Sequence, residues 1–244
     1  MTAPVFLSDA SALLSDPVRL GGEEGRHAAV VRRIRVGETL RLTDGAGNVA
    51  DCSVVAVDPH GISCAVRRRS RVPMPTPRFV AVQALAKGSR GELAVEMLTE
   101  VGVDVIVPWA AARCVVHWSP ERADKGLSRW RSAARESSKQ ARRVWLPDVR
   151  EPATTEQVCA LLAAAGTPVV LHGSGRRSTD EVTVSPVGDV VLVVGPEGGL
   201  TDEELASFAS AGAVSMRLGD TVLRTSTAGV VGAAVLLSRT ARWS

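Results

Sequence analysis

The sequence predicts an α/β protein: a mostly parallel sheet domain preceded by a small β-barrel. Three observations carry that prediction. From residue 78 onward, short apolar runs alternate with amphipathic segments of helical length, the pattern of strand–helix units in a parallel sheet. Before residue 70 the chain is cut into short stretches with period-two alternation, separated by turn signals. Between the two, "SRVPMPTP" (70–77) sets three prolines within five positions. Proline cannot donate to a ladder and keeps the chain extended, so a boundary belongs there, with one domain over 1–72 and a second over 73–244.

In chain order, "GRHAAVVRRIRVGE" reads as a helix with an apolar face of Ala28, Val31 and Ile34, ringed by Arg26, Arg32, Arg33 and Arg35. That ring is either a solvated surface or one that faces RNA. "ETLRLTDG", "NVADCSVVAVDP" and "GISCAVRRR" read as strands, with turns at Asp44-Gly45 and Pro59-His60-Gly61. Beyond the boundary come "PRFVAVQALA" (strand), "GELAVEMLTEVG" (helix), "VDVIVPWA" (strand), "GLSRWRSAARESSKQARRVW" and "TTEQVCALLAAAG" (helices) and "TPVVLHG" (strand). "DVVLVVG" (strand), "TDEELASFASAG" (helix), "AVSMRLG" (strand) and "TSTAGVVGAAVLLSRTARW" (helix) complete the series.

The totals exclude several classes. The longest apolar runs, such as Val190 to Val194, are far too short to cross a bilayer. No basic segment leads into an apolar core at the N-terminus, so a cytoplasmic protein is expected. Four scattered cysteines (Cys52, Cys64, Cys114, Cys159) and four dispersed histidines give no metal-ligand spacing, and reduced, mostly buried thiols are expected. Of 29 basic residues only Lys87, Lys125 and Lys139 are lysine. Arginine is the better fork for phosphate, though coding bias produces the same excess.

The stretch "VVLVVGPEGGLTDEEL" (190–205) is the most distinctive. Gly195, Gly198 and Gly199 after a strand let a ligand approach the main chain. Thr201 with Glu204 forms a capping box, and Asp202, Glu203 and Glu204 crowd the first helical turn. Those carboxylates suit the helix dipole but repel a docked phosphate, which leaves a neutral or cationic ligand. No phosphate-binding G-x-x-x-x-G-K-[ST] or dinucleotide G-x-G-x-x-G motif is present. Three strand-end loops, "LHGSG", "GPEGG" and "RLGDTVLRTST", follow one another and mark the expected pocket, since open α/β sheets bind ligands at carboxyl strand ends.

"GPEGGLTDEEL" followed by "RLGDTVLRTSTAG" closely resembles the C-terminal signature of SPOUT-class methyltransferases, specifically the bacterial 16S rRNA uridine-N3 methyltransferase family. "HAAVVRRIRVGE…DGAGN" is similar to that family's PUA-like N-terminal barrel. "QALAKG…TEVGVDVIVP" and "RWRSAARESSKQARR…LP" are similar to the opening units of its catalytic domain, so the likeness spans nearly the whole chain. Departures from the pattern fall at Met97, Lys139, Arg142 and Ser226.

The resemblance implies a deep trefoil knot, a homodimer formed through the knotted domain, and S-adenosyl-L-methionine held among the three loops. The cofactor-binding positions it implies are Leu171, His172, Gly173, Val194, Gly195, Pro196, Gly199, Leu218, Gly219, Leu223, Thr225 and Ser226. Hydroxyls at a helix start, as at Thr225 and Ser226, are equally candidates for caps. Methylation at uracil N3 needs a cation beside the uracil oxygens to favour the anionic base, and Arg224 is the candidate. Its alternative role is a salt bridge to Glu197 or Glu203. Glu197 is the candidate general base, directly or through a water, or else it locks the turn.

Binding to 16S rRNA or the small ribosomal subunit rests on charge placement. Eight basic residues lie between Arg122 and Arg143 against two acidic ones, Asp124 and Glu136. Arg131, Arg135, Lys139 and Arg142 fall on one predicted helical stripe, opposite an apolar face of Leu127, Trp130, Ala134 and Ala141. With Arg143 and with Arg32 and Arg33 of the first domain, they form the predicted RNA-binding set. Lacking Tyr and holding three Phe, the chain is expected to read folded RNA by shape rather than by base stacking. Two other readings stay open: another SPOUT reaction, on ribose 2′-O or on tRNA, and a non-catalytic RNA-binding assembly factor.

Overall fold

The structure, a computed structural model, describes residues 3–175 and 177–243, apart from the side chains of Pro120 and Glu121. It divides into two compact units, 1–74 with 138–146, and 75–137 with 147–244. The segment 138–146, which the sequence pattern places in the second domain, therefore packs with the first.

The first unit is a five-stranded sheet. Its elements are β1 (Val5–Leu7), β2 (Val18–Leu20), α1 (Gly22–Arg26) continued by a wider turn over His27–Val31, β3 (Thr39–Thr43), β4 (Asn48–Asp58) and β5 (Gly61–Arg71). Strand order is β1-β3-β4-β5-β2, antiparallel except for the β1–β3 pair. Alternation along β4 buries Ala50, Cys52 and Val54 against Leu40, Leu42, Ile62 and Cys64. Ala28 and Ile34 join that core, but Val31 is 65% exposed, because the helical turn ends there and its predicted apolar face is cut short. The segment 138–146 closes on the β3–β4 hairpin. The Gly47 N–H donates to Val144 O (3.0 Å), and the Leu146 N–H to Gly45 O (2.9 Å). The Trp145 indole N–H donates to Val72 O (3.1 Å).

The second unit is a six-stranded, wholly parallel sheet ordered β11-β9-β10-β6-β7-β8. Its strands are β6 (Phe79–Ala84), β7 (Val105–Trp109), β8 (Asp148–Val149), β9 (Thr167–Leu171), β10 (Val190–Val194) and β11 (Val214–Met216). Its helices are α2 (Arg90–Val101), α3 (Pro120–Gln140), α4 (Thr155–Ala163), α5 (Asp202–Ser210) and α6 (Thr225–Leu237). β6, β7 and β10 are buried along their whole length, as strands covered on both faces must be. That is why they read as unbroken apolar runs. α3 stops at Gln140, two residues short of Arg142, which takes a left-handed backbone (φ 55°). The predicted four-residue basic stripe thus loses its last member, and Ala141 is exposed rather than part of the buried face of Leu127, Trp130 and Ala134. No helix among the described residues is long and apolar enough to cross a membrane.

Candidate active site

The carboxyl ends of β9, β10 and β11 open onto a cavity of about 670 Å³. Leu171, His172 and Gly173 after β9 line it, as do Val194, Gly195, Pro196, Glu197 and Gly199 after β10. The loop 217–224 and the first turn of α6 complete the wall. Of the twelve predicted cofactor positions eleven are in that lining, and Ser226 is not: it is 3% exposed, on the inner side of α6. The wall also includes Met216, Arg217, Asp220 and Val222, which are not among the predicted cofactor positions.

The loop after β10 is held from outside the cavity. At its far end Thr201 and Glu204 form the predicted capping box at α5 (Thr201 N to Glu204 Oε2 2.8 Å, Glu204 N to Thr201 Oγ1 3.1 Å). Glu204 is only 5% exposed, and its second oxygen accepts from the Ala112 N–H (2.8 Å). Arg113 donates to Leu200 O (3.1 Å) and Gly198 O (3.4 Å). A Cβ at Gly198 would sit 2.9 Å from Arg113 O, so the close approach of this loop to the segment after β7 requires glycine.

From inside, Thr225 closes the arrangement. Its hydroxyl donates to Gly195 O (2.6 Å) and accepts from the Gln83 amide (3.0 Å). The hydroxyl is therefore not capping its own helix: it ties the start of α6 to the glycine turn. Gln83, fully buried near the end of β6, opens the "QALAKG" stretch but is not among the predicted site residues. Its signal is nonetheless present in the sequence, since it is the one polar residue in the strand "FVAVQA".

The loop 217–224 is different. Arg217 pairs with Asp220 (2.9 Å), but among the described residues no main-chain N–H from 218 to 224 has a protein acceptor. Buried or ligand-covered, such groups demand partners, so this loop is a row of donors open to a bound molecule. Gly219 takes φ 129°, and nothing lies within 4 Å of where its Cβ would be.

Both predicted catalytic residues line the cavity. The salt bridge that was the alternative role for Arg224 does not form among the described residues. Glu197 lies 3.6 Å from Arg90 at the start of α2, and Arg224 is exposed and without an ion pair among the described residues. Arg224 is thus a free guanidinium at the cavity wall, anchored by its own carbonyl, which accepts from Thr227 and Ala228 as α6 begins.

The predicted RNA-binding residues are dispersed. Arg32 and Arg33 are exposed after the turn that follows α1, and Arg135 is exposed on α3. Arg131 donates to Val149 O (3.2 Å) and Glu151 (2.9 Å). Lys139 is bonded to Glu24 (2.7 Å), and its side chain is 12% exposed. Arg143 is partly buried and donates to Trp145 O (3.0 Å), while Arg142 is exposed beyond the helix end. Intramolecular pairing thus takes up Lys139, Arg131 and Arg143, and the stripe as a whole is not a free phosphate-binding face.

A parallel sheet with a glycine-loop cavity at its carboxyl ends, carried on a chain with a second, mostly antiparallel sheet unit, is the architecture of RNA methyltransferases with a PUA domain. The RNA methyltransferase domain model matches residues 73–237, and the RNA methyltransferase PUA domain model matches 20–66. Ribosomal RNA small subunit methyltransferase E of Mycobacterium bovis is 42% identical over 247 residues, covering 100% of this chain and 94% of that one. The protein of the same name from Bacillus subtilis is 31% identical over 215 residues, covering 85% and 84%. A putative methyltransferase of Legionella pneumophila, solved in complex with its bound cofactor SAM, superposes with a TM-score of 0.85 at 28% identity, covering 98% of each chain. The chain belongs to the ribosomal RNA small subunit methyltransferase E family, which bears out the SPOUT-class resemblance and the PUA-like, parallel α/β fold.

Proposed function

We propose that this chain transfers a methyl group from S-adenosyl-L-methionine to N3 of one uridine in the 16S rRNA of the small ribosomal subunit. The observation that carries the reading is the cavity at the carboxyl ends of β9, β10 and β11, with its unpartnered main-chain donors over 218–224 and a free arginine at its wall. The cofactor fits that wall. Its adenosyl group needs main-chain donors and acceptors, which the glycine turn and the loop 218–223 present to the cavity.

Bound there, the cofactor supplies an electrophilic methyl carbon. Uracil N3 forms the new C–N bond as the C–S bond breaks, leaving a neutral thioether, and the N3 proton passes to a base. The chain's part is orientation and charge. Gly195 and the loop 218–223 hold the adenosyl group, with Leu171, His172 and Gly173 beneath it. Arg224 faces the uracil oxygens and favours the anionic base. Glu197 takes the proton, directly or through one water, while Arg90 holds the carboxylate in place. Thr225 and Gln83 fix the glycine turn. The reading includes the knotted passage of the C-terminal segment, a homodimer through the parallel-sheet unit, RNA contacts from Arg32, Arg33 and Arg135, and a cytoplasmic site of action.

Small-subunit particles lacking the modification, incubated with methyl-labelled cofactor and digested to nucleosides, test it. Label in 3-methyluridine supports the reading. Label in a 2′-O-methylated nucleoside would move it to another SPOUT chemistry, and cofactor binding without any label would leave an assembly factor.

A further inference from the structure

A second cavity, of about 700 Å³, opens between α2 and α3. Its wall combines three cations, Arg122, Lys125 and Arg129, with two indoles, Trp118 and Trp130. Glu92 is the acidic group in the lining, and Arg129 already pairs with it (3.5 Å). Arg122 and Lys125 are exposed, three residues apart on one helical face, and hold no ion pair among the described residues. The cavity therefore carries two uncompensated positive charges.

The indoles are seated with care for space. Trp118 meets Trp130 edge-on, with ring centroids 5.4 Å apart. A Cβ at Gly126 would lie 2.6 Å from the Trp118 ring, and one at Gly91 would lie 3.0 Å from Trp130. Both rings thus rest directly on helix backbone, and Trp118 stays partly exposed in the wall. Cations beside an aromatic surface suit a nucleotide, whose phosphate takes the charges and whose base takes the ring.

This cavity also adjoins the methyl-transfer cavity. Ser89 and Gly91 line it, and Arg90 between them reaches Glu197 on the wall of the other. We propose that the α2–α3 cavity is a nucleotide subsite, holding a residue of the RNA strand next to the target uridine. Its phosphate lies on Arg122 and Lys125, and its base lies against Trp118. Charge and exposure thus add the N-terminal half of α3 to the RNA contact proposed at Arg135. One tryptophan supplies the stacking surface that the scarcity of Tyr and Phe argued against. The inference rests on the proposed RNA methyl transfer and deepens it.

Steady-state methylation of small-subunit particles by Arg122→Ala/Lys125→Ala, Trp118→Ala and Trp118→Phe tests it, with cofactor affinity measured in parallel. The double variant should raise KM for the particle about 30-fold, with kcat within about twofold and cofactor affinity unchanged. The slope of log KM against log salt should fall by about 0.7, the loss of one neutralised phosphate on a single strand. Trp118→Ala should raise KM about tenfold while Trp118→Phe stays near wild type. Unchanged KM and salt slope in the double variant would overturn the subsite, as would a KM increase traced by sedimentation to a changed oligomeric state. If the wild-type chain methylates nothing, the methyl-transfer reading falls instead. The subsite is then decided by binding of a short labelled single-stranded RNA, which the double variant must weaken for the inference to stand.

Discussion

The two ends of the parallel sheet solve opposite problems. At the amino ends of β6, β7 and β10, charged groups are paired, and one pair is enclosed. Arg242 donates to both oxygens of Asp104 and to the carbonyls of Pro77 and Gly102, with the pair's side chains 12% and 9% exposed. Its guanidinium also lies over the Phe79 ring, 5.4 Å from the centroid. Arg78 forks onto Asp189 through two bonds. At the carboxyl ends, Arg224 is free and seven successive main-chain donors have no acceptor among the described residues. Pairing stabilises one end, and open donors make the other able to bind.

Arg242→Ala challenges that contrast most severely, because it leaves Asp104 enclosed without its cation. The second unit should lose about 4 kcal/mol of stability in denaturant unfolding, with cofactor affinity unchanged per folded molecule. Arg224→Ala should do the reverse, lowering kcat about 100-fold while the denaturation midpoint and cofactor affinity hold. Retention of wild-type turnover would remove Arg224 from the chemistry. Thr225→Val deletes the hydroxyl joining Gln83 to Gly195 O, leaving that carbonyl without its partner and the Gln83 amide with its bond to Ala84 O alone. It should cost about 2 kcal/mol in stability and also weaken cofactor binding, since the glycine turn is released.

The smallest change belongs to the first unit. Burial alone would raise the Asp51 carboxyl, but hydrogen bonds and charge from Arg41 and Arg68 outweigh it and hold the group below its ordinary value of 3.8. Its folded pKa is thus depressed. The stability it contributes is present above the ordinary carboxylate range and is lost as pH falls through the folded value. Asp51→Asn should flatten the acid limb of the unfolding curve by about 0.5 kcal/mol, little because the pair is partly solvated. An unchanged acid limb would show that the pair contributes nothing.

Local pattern makes much of this molecule legible from its residues alone. The apolar runs of β6, β7, β9 and β10, the capping box at Thr201 and the glycine turn all announce themselves within a few residues. The cysteines behave as expected too: Cys52, Cys64 and Cys114 are buried and free, and burial raises Cys52 to about 11 and Cys64 to about 12. What stays hidden depends on partners far away in sequence. The three-residue strands β1 and β2 and the two-residue β8 are too short to show a period. Lys139 reads as an exposed helical cation until Glu24, 115 residues earlier, is found beside it. Glu197 reads as a partner for Arg224 until Arg90 is seen to reach it first. Gln83 is visible as an anomaly in a strand, but its meaning requires Thr225, 142 residues on.

Everything proposed for the carboxyl-end cavity depends on methylation at uracil N3. Reverse transcription of 16S rRNA from unmodified small subunits, before and after incubation with the wild-type chain and S-adenosyl-L-methionine, decides the matter. Methylation at N3 blocks the pairing edge of uracil, so one new strong stop, a single nucleotide short of a uridine, is the predicted result. Methyl incorporation without any new stop would contradict it.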